Sequence, residues 1–86
     1  MNSTGAFVAL PGIGSGENVT NGEFLYLKCD SSLRVRITQL DPGVGTVVGE
    51  RYVQGILILE TSSDKAITLV EVKGSATVEY ICTGQS

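Results

Sequence analysis

From Glu23 onward, apolar and polar residues alternate with the period of two that marks half-buried strands. Residues 23–29 (EFLYLKC) and 33–40 (LRVRITQL) flank the polar triplet Asp30-Ser31-Ser32. Paired as a hairpin with Cys29 opposite Leu33, they set Leu27 against Val35 and Leu25 against Ile37. One face is then wholly apolar. A slip of one residue would scramble it, so the pattern predicts a three-residue hairpin loop. The opposite face carries Phe24, Tyr26, Lys28, Arg34, Arg36 and Thr38, with Tyr26 opposite Arg36 in this register.

The next turn is Asp41-Pro42-Gly43-Val44-Gly45, where Pro fixes one dihedral and Gly supplies permissive positions. Residues 46–49 read as a short strand or an irregular loop. Residues 51–60 (RYVQGILILE) are apolar on both faces at Ile56-Leu57-Ile58-Leu59. That pattern predicts a strand covered on both sides. Gly55 in its middle predicts a bulge or a close approach. After the polar turn Thr61-Ser62-Ser63-Asp64-Lys65, residues 66–73 (AITLVEVK) and 75–82 (SATVEYIC) read as a last hairpin. Its register pairs Val72 with Ala76, Val70 with Val78 and Thr68 with Tyr80. Ile67, Leu69 and Ile81 fall on the other face as a second apolar patch.

Residues 1–22 differ, being rich in Gly, Ser, Asn and Thr around the strip Phe7-Val8-Ala9-Leu10. They read as an N-terminal arm with a short strand, ahead of an antiparallel β domain at 23–86. The arm is expected to pack along that domain or onto a neighbour. Gly12-Ile13-Gly14-Ser15-Gly16 resembles half of a phosphate-binding loop, but no helix and no further Gly or Lys-Ser/Thr follows. Val, Ile, Thr, Tyr and Phe supply about a third of the chain, and no 11-residue window has helical spacing. The expected fold is therefore all-β, with six to eight strands. A small antiparallel β-sandwich or jelly-roll-like barrel with an extended N-terminal arm fits best.

Composition narrows the chemistry. With 86 residues the chain has room for one small domain, whose core is modest. It contains no His, so Ser-His and Cys-His pairs and His metal ligands are excluded. The serines sit in turns with no base beside them, and the absence of Trp leaves Glu60, Glu71 and Glu79 without a sugar platform. Asp30, Asp41 and Asp64 lie in separate turns without calcium-loop spacing. Neither an enzyme nor a cofactor is expected.

Cys29 and Cys82 form no CxxC pair and read as two buried thiols, with a disulfide as the alternative. The net charge of −3 argues against binding duplex nucleic acid. No stretch reaches the roughly 20 apolar residues of a membrane-spanning helix. The start of the chain lacks the basic and apolar regions of a signal peptide, so synthesis in a cytoplasm is expected. Without an export signal, the sequons Asn2-Ser3-Thr4 and Asn18-Val19-Thr20 read as chance matches.

The face with Phe24, Tyr26, Arg34 and Arg36 is rich in the residue types that dominate interface energetics. It reads as a contact surface, or as a surface covered by the N-terminal arm or a second sheet. The same composition could stack single-stranded bases, although net acidity favours a protein partner.

The runs FLYLKCDSSLRVRIT, VQGILILE and AITLVEVKGSATVEYICTG, over about residues 23–84, resemble small bacteriophage virion structural proteins. The resemblance implies a capsid decoration (cement) subunit, or a head, tail or baseplate accessory subunit. It implies a homo-oligomer bound to the major capsid protein or other virion subunits, with the virion as its location. The candidate interface residues are Phe7, Val8, Leu10, Phe24, Tyr26, Arg34, Arg36, Ile67, Leu69 and Ile81. A sheet module binding single-stranded nucleic acid or glycans is the alternative. An acidic enzyme inhibitor is a third reading, against which the carboxylates are dispersed.

Overall fold

A computed structural model describes residues 3–14 and 19–85. It contains five strands: β1 (Ser3–Ala9), β2 (Asn21–Asp41), β3 (Gly45–Glu60), β4 (Ile67–Gly74) and β5 (Val78–Gln85). A 3-10 turn, Ser63–Lys65, precedes β4. The fold is all-β and dominated by antiparallel pairing.

β2 organises the molecule. Along one edge it pairs with β3 over almost its whole length, from Phe24 opposite Glu60 to Asp41 opposite Gly45. Its other edge is divided. The first half takes β5, with Leu25 opposite Cys82 and Cys29 opposite Val78. The second half takes β4, from Arg34 opposite Lys73 to Thr38 opposite Leu69. Partner numbers fall there as β2 numbers rise, so this stretch is antiparallel; a separate contact between Gly22 and Ile67 has parallel sense. β1 lies outside β4, with Val8 opposite Val72.

The period-two reading of β2 holds: Leu25, Leu27, Cys29, Leu33, Val35 and Ile37 are all buried. Their pairing differs from expectation. Residues 23–29 and 33–40 are not the arms of a hairpin but two halves of one 21-residue strand. Asp30-Ser31-Ser32 is a bulge, with only Gln54 between the flanking β3 partners Val53 and Gly55. Gly55 has φ +101°, a conformation that disfavours L side chains. The bulge redirects the strand without inverting its faces. Both halves therefore deliver their odd-numbered residues to one cluster with Val53, Ile67, Val70, Val72, Ala76 and Val78. To bury a single face, the sheet closes over itself in the manner of a sandwich.

The last predicted hairpin also fails. β4 and β5 share no ladder, and each pairs with β2 instead. Joined directly, they would leave the second edge of β2 open, whereas separating them satisfies both of its halves. Residues 46–49 belong to the long β3, and the strands among the described residues number five rather than six to eight.

The segment before β2 contributes to the same core. Leu10 and Ile13 are buried in the cluster. The Leu10 amide donates to the Val70 carbonyl at 2.9 Å, and the Tyr80 hydroxyl donates to the Pro11 carbonyl at 2.7 Å. Ser15 and Gly16 of the glycine-rich run lie outside the described residues.

Candidate functional site

Even-numbered residues of β2 point away from the core and form two different outer surfaces, one on each side of the bulge. Over the second half, cross-strand rows run Glu50, Arg36, Glu71 and Tyr52, Arg34, Lys73. The Arg36 guanidinium pairs with the Glu71 carboxylate at 3.0 Å and lies over the Phe7 ring at 4.0 Å. Lys73 approaches the same ring at 5.8 Å. Arg34 stacks on Tyr52 at 4.9 Å and hydrogen-bonds its hydroxyl oxygen. The aromatic and cationic groups of this surface thus satisfy one another, and β1 supplies one of the rings.

Over the first half, the rows run Ile58, Tyr26, Ile81; Glu60, Phe24, Thr83; and Ile56, Lys28, Glu79. Ile56, Ile58 and Ile81 are 58%, 59% and 59% exposed, while Phe24 and Tyr26 are half-buried between such neighbours. This surface is apolar at its centre, with one cation and two carboxylates around it. β3 was expected to be covered on both sides. Within this chain, its Leu57 and Leu59 pack against the core, and its isoleucines are bare.

The candidate interface residues therefore separate. Phe7, Arg34 and Arg36 meet on the second-half surface. Phe24, Tyr26 and Ile81 meet on the first-half surface, so the register placing Tyr26 opposite Arg36 is corrected: Tyr26 faces Ile58 and Ile81. Leu10 and Ile67 are fully buried, Leu69 is half-buried beside Thr38, and Val8 is exposed on β1. Ile67, Leu69 and Ile81 do not form one patch, because β4 and β5 lie on different halves of β2. Sequence reasoning missed Ile56, Ile58 and Tyr52 as surface residues. The doubly apolar pattern at 56–59 was their signal, and it was read as burial.

Cys29 and Cys82 are free thiols. In the β2–β5 ladder Cys29 lies opposite Val78 and Cys82 opposite Leu25, so the two thiols are four residues apart along the strands, which is about 13 Å. That exceeds disulfide reach. Burial raises the Cys82 pKa above the ordinary thiol value. A cleft of about 140 Å³ beside the bulge is lined by Lys28, Cys29, Asp30, Thr77 and Glu79. Asp30 is committed there, accepting from the Thr77 amide at 2.8 Å. No cluster of three metal-ligating side chains occurs among the described residues.

No protein-family profile, curated protein or solved structure matches this chain.

Proposed function

We propose that the protein is a structural subunit of a virion, of the capsid-decoration kind, and that it stabilises the shell by docking on the major capsid protein. The observation that carries this reading is the uncovered apolar row Ile58, Tyr26, Ile81, with Ile56 and Phe24 beside it. A small domain gains nothing on its own from leaving three isoleucines in water; burying the area each still exposes contributes about 1–2 kcal/mol. The described residues supply assembly surface rather than a reactive constellation. The particle setting rests on the resemblance of residues 23–84 to small phage virion proteins.

The surface argues against the single-stranded nucleic-acid alternative. Its aromatics are flanked by isoleucines and by Glu60 and Glu79, with Lys28 as the cation among them. A base-stacking platform needs a basic track for the backbone.

Purified protein added to shells lacking it is expected to bind stoichiometrically and raise their thermal or osmotic resistance. Ile58→Lys or Ile81→Lys is expected to abolish binding while leaving the circular dichroism spectrum intact. Absence of the protein from purified virions by mass spectrometry would overturn the reading. So would salt-sensitive binding to labelled oligonucleotides that is lost in Tyr26→Ala.

A further inference from the structure

β3 is an edge strand, and its chemistry is the reverse of what isolated edges carry. Among the described residues it pairs only with β2, so its second edge presents backbone donors and acceptors that no described strand meets along 16 residues. Proteins blunt such edges with charged side chains, Lys above all, with Pro, with bulges or with short strands; the charges of β3 are Glu50, Arg51 and Glu60. β3 contains neither Lys nor Pro. Eight large hydrophobic residues are prominently exposed among the described residues. Six of them, Val44, Val47, Val48, Tyr52, Ile56 and Ile58, lie on β3 or in the turn leading into it. Residues 45–52 are exposed on both faces of the sheet.

We infer that the free edge of β3 pairs antiparallel with β3 of a second copy of this chain, about a two-fold axis at Tyr52, joining the two sheets into one. An isologous antiparallel pair keeps each side chain on its own face only when the axis passes through a residue position. Charge then selects the position. An axis at Glu50 or Arg51 opposes like charges. One at Val53 or Gln54 sets Glu50 against Ile56 or Ile58, and one at Gly55 sets it against Glu60. Positions before Glu50 leave the apolar C-terminal half of β3 unpaired. At Tyr52, Val48 meets the partner subunit's Ile56 on the outer face, and Val47 meets the partner subunit's Leu57 on the inner one. Glu50 falls opposite the partner subunit's Gln54, a hydrogen-bonding pair; Arg51 opposite the partner subunit's Val53 is the one charge–apolar pair within the strand, and at this register the two copies of Tyr52 meet as an aromatic pair. Cross-strand pairs of these kinds are the stabilising unit of a sheet.

The inference does not depend on the virion setting. A dimer that fails to bind shells defeats only the proposed function, and a monomer that binds them defeats only this inference. Sedimentation of the full chain is expected to show a concentration-dependent dimer. Val48→Lys, with Ile56→Lys as a second edge variant, is expected to weaken it at least tenfold with an unchanged circular dichroism spectrum. Under mild oxidation, Tyr52→Cys is expected to give a disulfide-linked dimer, and Glu50→Cys and the unsubstituted chain are not. A chain that stays monomeric at all concentrations would overturn the inference. So would a dimer that survives both lysine substitutions, or one that Ile81→Lys dissociates and Val48→Lys does not.

Discussion

Gly84 and Gly49 are both strand glycines with opposite constraints. A Cβ built on Gly84 would lie 2.2 Å from the Asn21 carbonyl oxygen and 2.8 Å from the Gly22 Cα. The obstructing atoms are backbone, so β5 can approach β2 this closely only without a side chain. Gly84→Ala is expected to destabilise the protein by about 1–3 kcal/mol in a urea titration, the range of overpacking changes. Gly49 has open space around its missing Cβ and no left-handed φ. Gly49→Ala is expected to be neutral or to stabilise by up to about 1 kcal/mol, by restricting the unfolded chain. The thiols give a second test at this scale. Burial raises the Cys82 pKa, so the folded state holds a proton that the unfolded state releases more readily. Its contribution to stability is full below the unfolded thiol's pKa of about 8.5 and is lost as pH rises through the folded value. Burial shifts Tyr80 in the same direction at higher pH. Unfolding midpoints are expected to fall on the alkaline side, and Cys82→Ser is expected to reduce the earlier part of that fall.

At the scale of elements, β1 is held on its outer side by one aromatic residue. Phe7 lies under the Arg36 guanidinium, which Glu71 fixes from β4. Phe7→Ala removes a cation–π contact worth about 0.5–2 kcal/mol. Faster amide exchange is expected in residues 3–9 by hydrogen–deuterium exchange, with β2 and β3 protection unchanged. A uniform rise across the sheet would show that β1 is part of the cooperative unit instead. The strands themselves were legible in the sequence. The alternation over 25–37 correctly assigned every buried apolar side chain of β2, because burial depends on parity and parity is local. Strand partners were not legible. Asp30-Ser31-Ser32 is as suitable for a bulge as for a turn, and the deciding group is Gly55, 23 residues beyond Ser32. The same holds for Lys73-Gly74-Ser75. These residues permit a tight hairpin, and only the vacant edge of β2 explains why none forms. The proposed contact surface was legible in part: Phe24, Tyr26 and Ile81 belong to it, but their union through β5 required the pairing that the sequence did not disclose.

At the scale of the whole molecule, the outer surfaces are specialised. The half carrying β1 and β4 pairs Arg36 with Glu71 and Arg34 with Tyr52. The half carrying β5 leaves its isoleucines exposed. The free edge of β3 runs the length of both. A dimer joined along that edge would present two apolar faces at a fixed separation. Two such faces raise the effective concentration of the second contact once the first has formed. Edge variants are therefore expected to lose shell binding more steeply than in proportion to dimer population, measured by retention on shells across a dilution series.

The divided edge of β2 also governs how the chain acquires its structure. The β2–β3 pairing grows from the short turn after Asp41 and can zip within microseconds of that segment becoming available. Its apolar face then waits. β4 and β5 must return across tens of residues to reach the same strand, and Asn21 finds its partner only at Gln85. Such long-range closures are slow, in the millisecond-to-second range for sheets of this kind. A ribosome releases residues at about 5–20 per second, so a half-made sheet persists for seconds with its oily side uncovered. Completion thus waits for β5 to emerge, and the interval before it is when neighbouring nascent copies are most prone to join in the wrong way.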